Sequence, residues 1–98
     1  MYARIATFQN DPSRIDASAE RVRGIMDAPD LPDVMKQARF MLLADRKSGK
    51  TLGVTVFESE EAMMAADAVM NAGAGEAGSR SGVEFFEVTV HNLSAAGE

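Results

Sequence analysis

The chain has no cysteine and no tryptophan, a single tyrosine, a single histidine and three prolines. Without cysteine there is no disulfide framework and no thiolate metal site, which fits a reducing compartment. The one histidine, His91, lies near the end of the chain and reads as a strand-end surface residue. That excludes a Ser/His/Asp arrangement, and no carboxylate spacing resembles a ligand set, so neither a metal nor a cofactor is expected. Positive charge is also short: ten Lys and Arg stand against fifteen Asp and Glu, a net charge of −5. A sequence-independent grip on nucleic acid or an anionic membrane is therefore disfavoured. Long apolar runs are missing too, and the opening Met1 to Gln9 alternates in polarity, so neither a signal peptide nor a membrane span is expected and the reading is cytoplasmic. What the chain does have is a composition suited to a packed core, with 46% hydrophobic and 26% charged residues over 98 positions. One domain over residues 1–98 is expected, with 92–98 as a frayed tail.

Tyr2 to Phe8 alternates with a period of two and reads as a strand. Asn10-Asp11-Pro12 then offers a capping side chain and a proline in the first turn, where its missing N–H costs nothing. Ile15, Ala19, Val22 and Met26 fall on one stripe of the helix that follows. Pro29 and Pro32 stop it, and the chain should turn or run extended before Met35. Ala38 to Ala44 is apolar on both faces. Thr51 to Phe57 is β-branched and alternating, and the polar Asp45–Lys50 connection, with its glycine late in the loop, joins the two as a hairpin. Ser59 caps a second helix with Glu60 and Glu61 in its first turn and Ala62, Met63, Ala66, Val69 and Met70 on its apolar stripe. A glycine-rich loop, Gly73 to Gly82, ends it, and Val83 to His91 forms the last strand.

The order strand, helix, strand, strand, helix, strand is the split βαβ, or ferredoxin-like, arrangement of the α+β class. It predicts an antiparallel sheet in the spatial order four, one, three, two, with the helices on one face. Alternation places Ala3, Ile5, Phe40, Leu42, Leu52, Val54, Val56, Phe86, Val88 and Val90 under the helices. Arg4, Phe8, Met41, Leu43, Thr55, Phe57, Phe85, Glu87 and Thr89 then fall on the far face. So apolar a far face requires cover, and a second copy of the chain is the expected partner, dimerising sheet to sheet into an α+β barrel. Arg4 and Glu87 would meet inside that barrel as a charge pair. Such a pair either fixes register and dimer specificity or binds a small aromatic ligand. The candidate ligand-binding set is Arg4, Phe8, Met41, Thr55, Phe57, Phe85 and Glu87, with Arg4 and Glu87 also the candidates for catalysis.

Tyr2-Ala3-Arg4-Ile5-Ala6-Thr7-Phe8, the strand-to-helix passage Gly53 to Ala62, and Val83-Glu84-Phe85-Phe86-Glu87-Val88 together resemble the dimeric α+β barrel proteins of the antibiotic-biosynthesis monooxygenase-like (ABM) superfamily, over nearly all of Tyr2 to His91. The resemblance implies a homodimer enclosing a cavity and, in some members, cofactor-independent oxygenation of phenols or quinols. It does not carry catalytic residues across. Family oxygenases use combinations of Asn, Trp and Tyr in the cavity, whereas this chain has no tryptophan and one tyrosine, Tyr2. The haem-degrading branch has an asparagine on the first strand and a histidine on the second helix, where this chain has Arg4 and Thr7, and Asn71. The function expected is binding of a small, largely apolar or aromatic molecule, with monooxygenase activity as its catalytic form. The alternative is a non-catalytic homodimerisation or ligand-binding module.

Two further motifs have bland readings. Gly73-Ala74-Gly75-Glu76-Ala77-Gly78 spells the dinucleotide fingerprint, but a helix precedes it and a strand follows, the reverse of what a pyrophosphate site needs. Lys50 to Phe57 partly resembles the third-strand motif of RNA-recognition domains, yet lacks stacking aromatics at Leu52 and Val54. The seven methionines, among them Met63, Met64 and Met70, read mainly as gap fillers in a small core.

Overall fold

The computed structural model describes residues 1–72 and 79–93. Four strands, β1 (Tyr2–Gln9), β2 (Arg39–Ala44), β3 (Lys50–Phe57) and β4 (Ser79–Glu87), are joined through helices α1 (Ile15–Met26), α2 (Asp33–Lys36) and α3 (Glu60–Ala72). They form one sheet in the order β2-β3-β1-β4, every neighbouring pair antiparallel. This is the ferredoxin-like α+β architecture expected from the element order.

Local chemistry sets most boundaries. Asp11 caps the 3-10 turn Pro12–Arg14 that leads into α1, accepting from the Ser13 amide at 2.9 Å and the Ser13 hydroxyl at 2.7 Å. The Ser59 hydroxyl accepts from the Ala62 amide at 3.1 Å at the start of α3. In the β2–β3 hairpin Gly49 adopts φ +83°, and a Cβ there would lie 1.9 Å from the Asn10 carbonyl oxygen. Only glycine fits that turn.

Two boundaries differ from expectation. Pro32 takes an extended conformation and is followed at once by the short helix α2, whose Met35 is buried. A proline just before a helix suits the restricted first turn as well as an extended run does. The last strand begins at Ser79 and ends at Glu87, where Val83 to His91 was expected. Pairing with β1 fixes this span: Ser81 is the extra residue of a bulge between Gly82, opposite Thr7, and Arg80, opposite Phe8. The dinucleotide-like Gly73–Gly78 and the end of the tail, 94–98, lie outside the described residues. Beyond β4 the chain returns to the opposite edge of the sheet, where the Leu93 carbonyl accepts from Arg39 Nη1 at 2.8 Å.

The sheet faces are exchanged on three of the four strands. Arg4 bonds to Asp67 of α3, so Tyr2, Arg4, Ala6 and Phe8 point at the helices. Residues directly opposite in the register share that side: Phe57, Thr55, Gly53 and Thr51 on β3, and Glu87, Phe85 and Val83 on β4. On β2, Phe40 and Leu42 face the helices as expected. The face away from the helices carries Ala3, Ile5, Leu52, Val54, Met41, Leu43 and Phe86. The expectation kept the charge of Arg4 away from the helices, but a carboxylate on α3 neutralises it there, and its whole row follows. The core is centred on Met35, Phe57, Met63 and Ala66, with Tyr2, Met26 and Leu31 against them.

Candidate functional site

A cavity of about 380 Å³ opens between the sheet and the helices, within the range of small-molecule sites, roughly 300–1,000 Å³. Its origin is legible in two small residues. Ala6 and Gly53 stand directly opposite each other in the middle of β1 and β3. They offer the helices a methyl group and a hydrogen where neighbouring rows offer large side chains. A Cβ on Gly53 would lie 3.6 Å from the Phe40 ring and 3.9 Å from the Phe8 ring, so those two rings flank the gap. The far wall comes from Val22, Ile25 and Met26 of α1, Leu31 and Pro32 of the following loop, and Val69 and Met70 of α3.

One end of the cavity is polar. Arg4, 3% exposed, reaches from β1 to α3. Its Nε donates to Asp67 Oδ1 at 2.9 Å, Nη1 to the Met70 sulfur at 2.9 Å and Nη2 to Asn71 Oδ1 at 3.3 Å. Asn71 Nδ2 donates back to Asp67 Oδ2 at 3.2 Å, one helical turn away. Arg80 of β4 donates from Nη1 to the same Asn71 oxygen. Thr55, 1% exposed, stands beside Arg4 in the sheet. Among the described lining residues the charged ones are Arg4 and Arg80. Among the described residues no three His, Asp or Glu side chains gather as a metal set.

The sequence-derived candidates separate accordingly. Arg4, Phe8 and Thr55 line the cavity together. Phe57 faces the helices but is sealed in the core at 3% exposed. Phe85 and Glu87 share the helix-facing side of the edge strand β4, are exposed, and do not line the cavity. Met41 points to the opposite face. The expected Arg4–Glu87 pair is replaced by Arg4–Asp67, and this cavity lies within one chain, between its sheet and its helices. Asp67, Met70, Asn71 and Arg80 were not singled out. Asp67 had a signal: with Met63, Ala66 and Met70 it falls on the apolar stripe of α3, where a lone carboxylate needs a buried cation.

No family model matches the sequence, and no curated protein does. Among solved structures the chain is similar to the "putative Antibiotic biosynthesis monooxygenase from Chloroflexus aurantiacus J-10-fl", with a TM-score of 0.60 at 16% identity over 94% of this chain and 97% of that one. Among the described residues no helix is long and apolar enough to cross a membrane. At this identity the likeness is one of fold, and it agrees with the resemblance read from the sequence: the chain has the fold of an ABM-like protein.

Proposed function

We propose that the chain binds a small, flat, largely apolar molecule in the cavity between its sheet and its helices, with an oxygen of that molecule turned toward Arg4. The supporting observation is the contrast inside the cavity. Aliphatic, aromatic and methionine walls surround one buried guanidinium, the arrangement that fixes an otherwise greasy ligand by a single polar group. The reaction class inferred is cofactor-independent oxygenation of a phenol or quinol. The guanidinium stabilises the ionised oxygen, and that electron-rich anion reacts with dioxygen. A phenol with a free ring position would take up one O2 and leave as a quinone, the second oxygen atom departing as water. Glu87 stands outside the cavity lining, so the oxygen gives up its proton to water, and the guanidinium favours the anion that remains. The name of the Chloroflexus protein supports this class for the fold.

A second copy is proposed to cover the helix-free face, where Met41, Leu43 and Phe86 are each more than 40% exposed and Ile5, Leu52 and Val54 lie between them.

Gly53→Val tests the site. The position accepts a Cβ at ordinary contact distance, and valine suits a strand, so the variant should fold while its methyl groups occupy the cavity. Quinols and flavonoids should bind the wild type and lose at least about tenfold in affinity on the variant. Unchanged affinity would remove the cavity from consideration. Incorporation of one atom of labelled O2 into a bound phenol supports the oxygenase; binding without incorporation leaves the non-catalytic module.

A further inference from the structure

Among the described residues, the polar end of the cavity carries more cation than carboxylate. Two guanidiniums, Arg4 and Arg80, share one carboxylate, Asp67, and one amide oxygen, that of Asn71. Among the described residues one positive charge is left over. The donor pairing is uneven as well. Arg4 Nε has a carboxylate, but Nη1, on a side chain almost wholly buried, is directed at the thioether of Met70. A sulfur of that kind is a weak acceptor for a charged donor, and methionine is the side chain best able to move aside. Met70 and both arginines line the cavity.

We infer that the ligand is a monoanion, a flat apolar body bearing one carboxylate or enolate/phenolate group, whose oxygen displaces the Met70 sulfur from Arg4 Nη1 and draws in Arg80. This rests on the binding site proposed above and specifies the charge of its ligand. A single negative charge balances the corner; a dianion would overshoot it inside an apolar enclosure, where unpaired charge is costly. Asp67 and Asn71 are positioning residues, holding the Arg4 fork so that Nη1 remains aimed into the cavity.

The test uses two matched pairs of probes: 2-naphthoate against 2-naphthamide, and 2-hydroxy-1,4-naphthoquinone, an enolate at neutral pH, against 1,4-naphthoquinone. Affinities are measured by calorimetry at pH 7. In at least one pair the anion should bind about tenfold or more tightly than its neutral partner, and the pair with the larger ratio identifies the source of the negative oxygen. Naphthyl phosphate, a dianion, should bind more weakly than the preferred monoanion. Arg80→Gln, at an exposed position, should keep the fold and lower the ratio in the preferred pair severalfold. Met70→Leu, which takes away the competing acceptor, should raise the anion-to-neutral ratio in the preferred pair. Equal affinity within both pairs, or a ratio untouched in both variants, overturns the charge assignment while leaving the cavity intact. Failure of all four probes to bind overturns the site and the assignment together.

Discussion

Arg4 occupies a strand position whose neighbours in the helix-facing row are Thr55, Phe40 and Phe85. A charge there is tolerated because Asp67 lies 2.9 Å from Nε, and because among the described residues no buried side-chain nitrogen or oxygen lacks a hydrogen-bond partner. Arg4→Met removes the cation and strands the carboxylate. The loss expected is about 2–3 kcal/mol in urea unfolding, below the 3–5 kcal/mol of a fully enclosed pair because Asp67 is 18% exposed. Arg4→Met combined with Asp67→Leu should recover most of it, since two apolar side chains fill the gap without an orphaned charge. A double variant no more stable than the single one would mean that the pair is not a unit. The same residue explains the main misreading at this scale. Alternation alone puts this charged side chain on the helix-free face, because its partner on α3 is 63 positions away in sequence and nothing around Arg4 itself announces it.

At the scale of elements, the caps and turns are the features most visible in the sequence, since they act over three or four residues. Asp11, Ser59 and Gly49 each do what their residue type requires. Asp11 titrates below the ordinary aspartate range, chiefly through the Ser13 hydroxyl, with the Ser13 amide adding to it. A carboxyl lowered on folding contributes stability above its unfolded pKa, near 3.8, and that contribution is lost as the pH falls through the folded value. Asp11→Ala should therefore lower the thermal midpoint at pH 7, with the gap to wild type narrowing as the pH falls below the unfolded value near 3.8. A gap constant from pH 7 to roughly pH 2.5 would show that the carboxylate does not cap the Pro12–Arg14 turn as an anion. The register of β4 was less legible: its bulge at Ser81 is set by pairing with β1 and not by any pattern within the strand.

At the scale of the whole molecule, the sheet order followed from element order alone, and so did the presence of apolar residues on both faces. Which apolar set lies under the helices did not follow, because the two sets are nearly equal in hydrophobicity and period-two alternation does not name a side. The consequence for function is large. The chamber sits beneath α1 and α3, while the other face is bare. Phe86→Glu, at the β4 edge of that bare face, tests the proposed dimer: it should convert the wild type's sedimenting dimer to a particle of about half its mass without altering ligand affinity. Affinity and dimer lost together would tie the cavity to the interface. The two locations are best separated by mapping amide shifts on a 15N-labelled sample titrated with 2-naphthoate. Shifts should concentrate on Arg4, Gly53, Thr55, Val69 and Met70, the helix-facing side of the sheet and the α3 wall above it. Shifts gathered instead on Ile5, Leu43, Val54 and Phe86 would place the ligand between two sheets and contradict a cavity internal to each chain.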